Sequence, residues 1–304
     1  MNNYYWILIC IIIGATIIGC ERTVPITPPP YESVLVVNGF IEADKPWDVF
    51  VSQSQSYYQS PDNLSLQGIK MQIISTSDTI YPMPLGNSSL FTSDTILPQV
   101  GEMYLINAFL TGFPIVSAKL KIPCPGKIEY AEIADSVTVN SNGQFMDQLS
   151  VYILDPQPDI ANYFFLYFFA LDTLSGIKTP MEWQTDNPMV EFSSRLAFPD
   201  RNNQLTIYQD LRFFSDKLLN DSIFKLDFFL PGSRLDFIKN YHQQWVIRLG
   251  TTDSAFYKYY QTFEQQKNTF SDPFSEPTPV YTNIEGGLGI WAGFATDSFT
   301  SIFE

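Results

Sequence analysis

Short apolar runs, mostly β-branched and aromatic, recur along this chain at strand-sized intervals, punctuated by Pro, Gly, Asn, Asp and Ser. Val34-Leu-Val-Val-Asn-Gly-Phe-Ile41, Val49-Phe-Val-Ser52, Ile69-Lys-Met-Gln-Ile-Ile74 and Met103-Tyr-Leu-Ile-Asn-Ala-Phe109 read as strands. Ala118-Lys-Leu-Lys-Ile122 alternates apolar and charged residues, as a half-buried strand does. These runs predict a β-sandwich over residues 31–125, closed by the cluster Pro123-Cys-Pro-Gly126.

Residues 126–304 predict a larger β-rich domain. Ile128-Glu-Tyr-Ala-Glu-Ile133, Gln148-Leu-Ser-Val-Tyr-Ile-Leu154, Lys225-Leu-Asp-Phe-Phe-Leu230 and Trp245-Val-Ile-Arg-Leu249 are strand-like. Tyr163-Phe-Phe-Leu-Tyr-Phe-Phe-Ala-Leu171 is apolar throughout, which suits a strand covered on both faces. Polar loops are expected near Gln184–Pro188 and Pro199–Gln204. One helix is predicted over 254–267, capped by Thr252 or Asp253, with Phe256, Tyr259, Tyr260 and Phe263 forming a stripe that packs into the core.

The N-terminus has a different pattern. Trp6–Gly19 is uniformly uncharged and apolar, shorter than the roughly 20 residues of a spanning helix and suited to a signal-peptide core. Ile17-Ile18-Gly19-Cys20 approximates a lipobox, so residues 1–19 are expected to be removed and Cys20 acylated. The alternative is an uncleaved anchor, since Met1–Tyr5 carries no Lys or Arg. Residues 20–30 hold four prolines and predict an extended spacer that lifts the body off the lipid surface. More than one acyl chain on Cys20 would give stable attachment.

The chain carries a formal charge of −15, which argues against nucleic acid and against a body lying flat on anionic lipid. A content of 45% hydrophobic residues supports a sizeable core. Once Cys10 leaves with the signal and Cys20 is acylated, Cys124 is the remaining cysteine, so no internal disulfide is expected.

Candidate chemistry is sparse. His242, the one histidine, lies in Asn240-Tyr-His-Gln-Gln244 with no motif linking it to a nucleophile. Asp155-Pro-Gln-Pro-Asp159 and Pro199-Asp-Arg-Asn-Asn203 carry calcium-type oxygens without EF-hand spacing, and such clusters also form ordinary turns. Gly286, Gly287 and Gly289 lack the Lys-Ser/Thr of a phosphate loop and read as a turn into a terminal strand. Trp47, between Pro46 and Asp48, and Trp183, between Glu182 and Gln184, are the candidates for exposed ligand contacts. No catalytic, cofactor-binding or metal-binding residue is singled out.

The ending is the most specific stretch: Asp272-Pro-Phe274, Glu276-Pro277, then Tyr281-Thr-Asn-Ile-Glu-Gly-Gly-Leu-Gly-Ile-Trp-Ala-Gly-Phe294. With the lipobox, the spacer, Leu35-Val-Val-Asn-Gly-Phe-Ile41 and Tyr257-Lys-Tyr-Tyr260, it resembles DUF4249, a family of Bacteroidota lipoproteins, over essentially the whole mature chain. The resemblance implies a mainly β fold with an immunoglobulin-like first domain, and a setting beside TonB-dependent outer-membrane transporters. It implies no activity. The expectation is a non-enzymatic, lipid-anchored outer-membrane protein, facing the cell surface, that serves such a transporter as a binding or accessory subunit. The alternatives are a structural or assembly lipoprotein of an envelope complex and, third, a hydrolase built on two convergent carboxylates.

Overall fold

Strand alternation organises the molecule around one long sheet. The structure is a computed structural model and describes Tyr4 and residues 31–56, 66–86, 88–181, 183–199, 205–217, 222–232, 243–269, 275–276 and 278–301. Cys20, the signal and tether residues 5–30, and His242 lie outside the described residues. Residues 33–304 form one compact unit.

The strands of the first part are β1 (Leu35–Glu42), β2 (Trp47–Gln53), β3 (Lys70–Ile74), β4 (Thr79–Ile80), β5 (Met83–Pro84), β6 (Leu90–Ser93), β7 (Met103–Phe109) and β8 (Val116–Lys121). Next come β9 (Lys127–Val139), β10 (Phe145–Leu154), β11 (Tyr163–Asp172), β12 (Lys178–Met181), β13 (Val190–Pro199) and β14 (Leu205–Ser215). The chain closes with β15 (Ile223–Pro231), β16 (Gln243–Thr252), helix α1 (Ser254–Thr269) and β17 (Leu288–Ser301). The fold is mainly β with one late helix, as the sequence pattern predicts.

A ten-stranded sheet runs β13-β14-β11-β16-β17-β1-β2-β6-β5, with β12 beside β11. Its hinge is β17. The first half of that strand pairs in parallel with β1, from Val36↔Leu288 to Glu42↔Phe294, and its second half pairs antiparallel with β16. The last strand therefore belongs to both the 31–125 and the 126–304 regions.

Two smaller sheets cover one face of the long sheet. The four-stranded sheet β4-β3-β7-β8 buries Ile73, Tyr104, Ile106 and Leu120 against Val37, Trp47, Val49 and Trp291. The three-stranded sheet β15-β10-β9 buries Leu149, Val151, Leu226 and Phe228 against Phe164, Leu166, Phe168 and Ile247. On the opposite face lies α1, whose Phe256, Tyr257 and Tyr260 pack on Phe165, Tyr167, Phe213, Ile290 and Phe294.

This layering explains the unbroken apolar run of β11. Phe164, Leu166 and Phe168 enter the core against the three-stranded sheet, while Phe165 and Tyr167 face the helix. The helix starts where expected. Asp253 caps it, its Oδ1 accepting the Phe256 N–H at 2.8 Å, and Oδ2 accepts the Gly293 N–H of β17 at 3.0 Å. The expected stripe is corrected in one member: Tyr257 is buried, whereas Phe263 is 38% exposed. The aromatic wall formed by Phe192 and Phe213 meets Tyr257, whereas Phe263 stacks only on Tyr259 of its own helix among the described residues.

Candidate functional site

The two tryptophans singled out for surface contact are both buried. Trp47 occupies an inward position of β2, donates its Nε1–H to the Ile96 carbonyl at 2.6 Å, meets Tyr104 edge-on and stacks 6.1 Å from Trp291. Trp183 packs on Phe168 and is likewise closed to solvent. Neither offers a ring to a ligand. At Trp47 the polar neighbours misled: in a strand, adjacent residues face opposite sides, so an outward Asp48 accompanies an inward Trp47.

Cys124 is a half-buried free thiol. The Asp155–Asp159 loop closes on a side chain. Asn162 Nδ2 lies 2.9 Å from Asp155 Oδ1 and from the Ile160 carbonyl, and 3.0 Å from Asp216 Oδ2 and from the Gln157 carbonyl. The Asn162 amide thus stands at the point on which these oxygens converge. Burial, opposed by the Asn162 hydrogen bonds and reinforced by neighbouring Asp155, raises the Asp216 carboxyl above the usual range. The second loop, residues 200–204, lies outside the described residues.

The most structured surface chemistry is on the outer face of β9-β10-β15. Register places its outward side chains in three rows across the sheet. Tyr130, Tyr152 and Lys225 form the first; Glu132, Ser150 and Asp227 the second; Ala134, Gln148 and Phe229 the third. With about 4.8 Å between strands and about 3.4 Å per residue, the grid covers roughly 10 by 14 Å.

Its side chains hold one another. Tyr130 and Tyr152 stack with centroids 4.1 Å apart and planes at 17°, and Tyr152 Oη donates to Glu132 Oε1 at 2.9 Å. That bond, more than burial, pushes the Tyr152 hydroxyl up to about 12. Asp227 Oδ1 accepts from Ser150 Oγ at 2.6 Å and from Gln148 Nε2 at 3.0 Å, and its Oδ2 pairs with Lys225 Nζ at 3.0 Å. Burial pushes the Asp227 carboxyl up, but these three donors outweigh it and hold the group below the usual range. Tyr130 remains 46% exposed. The face can stack one apolar ligand surface and orient polar groups beside it.

Sequence reasoning identified these strands but not this face. The signal was present in residue type: polar Gln148, Ser150 and Tyr152 alternate with apolar Leu149, Val151 and Ile153. Gln148 and Tyr152 are half-buried on the outward side, and Ser150 between them is buried.

Among solved structures, the chain is similar to the chicken CNTN1 FN1-FN3 domains at 10% identity. That match covers 71% of this chain and 59% of that one, with a TM-score of 0.26. It is also similar to trypsin-activated alpha-2-macroglobulin from Escherichia coli, at 12% identity and TM-score 0.24, over 78% of this chain and 16% of that one. The Salmonella alpha-2-macroglobulin reacted with methylamine matches at 11% identity and TM-score 0.25, again over 78% of this chain and 15% of that one. No curated protein matches the sequence. The model of the "Domain of unknown function (DUF4249)" matches residues 21–300, and the chain belongs to that family.

Proposed function

We propose that this protein is a non-enzymatic, lipid-anchored outer-membrane protein of Bacteroidota. Facing the cell surface, it serves a TonB-dependent transporter as a binding or accessory subunit. The observation that carries this reading is the sequence Ile17-Ile-Gly-Cys20 followed by a proline-rich spacer, placed ahead of a β-sandwich body that begins at β1. Acyl chains on Cys20 fix the body at a membrane and the spacer gives it reach. The ordered polar and aromatic face of β9-β10-β15 gives it a surface with which to bind.

A pull-down of the natively expressed, tagged protein in mild detergent tests this, with partners identified by mass spectrometry. A stoichiometric TonB-dependent transporter is the expected result; its absence would sink the accessory role. Cys20→Ser should move the protein out of the membrane fraction, and retention there would refute lipid anchoring.

A second reading, an assembly lipoprotein of an envelope complex, draws on one feature. Val137, Val139 and Phe145, at the end of the β9–β10 hairpin, are 48%, 50% and 64% exposed, and an exposed apolar cluster suits a protein contact. Enrichment of envelope machinery in the same pull-down would favour it.

A further inference from the structure

Resting on the binding reading above, we infer that the outer face of β9-β10-β15 is a binding site for an uncharged glycan. Three observations carry this. The first is a ring. Tyr130 is 46% exposed and is held upright by stacking on Tyr152, so it presents an aromatic edge and face to the C–H side of a sugar.

The second is a set of hydrogen-bonding groups fixed before any ligand arrives. Gln148 and Lys225 converge on Asp227, which the buried Ser150 holds from within the sheet, and Tyr152 is fixed on Glu132. Groups ordered by one another lose little freedom on binding, which favours a hydroxyl-rich ligand that needs several donors and acceptors at once. Capacity remains, because an ammonium has three donors and a carboxamide both donates and accepts.

The third is charge. Lys225 is matched by Asp227 within the face, a single further carboxylate, Glu132, is held by the Tyr152 hydroxyl, and the chain as a whole carries −15. A polyanion is repelled, and no cluster of unpaired carboxylates on this face calls for a cation. What complements it is a neutral ligand rich in dipoles. Peptides are commonly recognised along a sheet edge, in an apolar groove or by an Arg cluster. Here the polar side chains of the central strand project from the middle of a sheet. The roughly 10 by 14 Å grid suits a short stretch of polysaccharide, with Phe229 at its far end as a second apolar contact.

The test is native electrophoresis of the full-length protein in mild detergent. Each gel is cast with one polysaccharide: soluble starch, xylan, mannan or mixed-linkage β-glucan as neutral probes, and polygalacturonate as an acidic one. The expected result is retardation in at least one neutral gel, weakened about tenfold by Tyr130→Ala, weakened again by Gln148→Ala, and kept by Tyr130→Phe, which retains the ring. Retardation in none of the neutral gels, or only in polygalacturonate, overturns the proposal. So does equal retardation of wild type and Tyr130→Ala. If Tyr130→Ala instead strips a protein partner from the pull-down and leaves the gels unchanged, the face is a protein contact and the glycan site is refuted. The gels contain no transporter, so failure of the accessory role and failure of the glycan site are read separately.

Discussion

Gly39 and Trp291 lie opposite one another in the parallel β1–β17 pair, and a methyl group placed on Gly39 would stand 2.5 Å from the indole ring. Glycine at this position is therefore set by the tryptophan. Trp291 in turn fixes the first core, stacking on Trp47 and donating its Nε1–H to the Tyr104 carbonyl at 3.3 Å. Its backbone is clasped by Asn283, which accepts from the Trp291 N–H at 2.9 Å and donates to its carbonyl at 2.7 Å. The early Asn38-Gly39 motif and the late Trp291 motif are thus two halves of one contact.

Gly39→Ala should destabilise the protein by about 1–3 kcal/mol, the range for overpacking a core. Trp291→Ala should cost about 3–5 kcal/mol. In the Trp291→Ala background the added methyl meets no ring, so the two costs should fall well short of adding. Urea denaturation of the two single variants and the double variant measures this; strict additivity would show that the two residues do not share a constraint.

The glycines that follow the Asn283 clasp work by close approach. A Cβ on Gly287 would lie 2.5 Å from the Leu35 carbonyl oxygen and 2.6 Å from Val116. Gly289 adopts φ +106, and a Cβ there would lie 2.2 Å from the Val37 carbonyl oxygen. Gly287→Val and Gly289→Ala should each lower the thermal midpoint by several degrees. An unchanged melting curve for either would remove the structural account of the motif.

These elements show what was legible. The strand at the glycine-rich ending, the Asp253 cap and the doubly covered β11 all follow from local pattern. That β17 joins both regions does not, because its partners β1 and β16 are far away in sequence and pairing between distant strands leaves no local signature. β13 and β14 were also missed. Ser193, Ser194 and Arg195 interrupt the apolar run, and register shifts near Val190/Phe192 and Ser194/Leu196 break the alternation. At the candidate face, the strands were readable but the register that aligns Tyr130 with Tyr152 was not.

The two buried tryptophans should respond differently to loss of the indole nitrogen. Trp47 Nε1 has a carbonyl partner at 2.6 Å, whereas Trp183 Nε1 is buried with no hydrogen-bond partner among the described residues. Trp47→Phe strands the Ile96 carbonyl, while Trp183→Phe removes an unsatisfied donor along with some volume. Trp47→Phe should be the more destabilising by about 1 kcal/mol or more. Chemical denaturation of both variants decides it, and a larger loss for Trp183→Phe would contradict the hydrogen-bond assignment.

Asp253 gives the fold a pH signature. Burial pushes its carboxyl up to about 6, against hydrogen bonds from the Phe256, Gly293 and Ala255 amides that pull it down. A carboxyl raised in the folded state binds its proton more tightly there than in the unfolded chain. Between the ordinary carboxylate range and about 6 the native protein therefore holds more protons, and stability falls as pH rises. The contribution is fully present only below about pH 4, the ordinary carboxylate value, and is lost by about pH 7, an effect of roughly 3 kcal/mol at most. Asp253→Asn keeps the Oδ1 cap but cannot titrate. The stability of wild type relative to this variant should thus decline from pH 4 to pH 7, measured by urea unfolding at a series of pH values. A relative stability that stays flat or rises over that interval would mean that the three backbone donors, and not burial, set the state of the carboxyl.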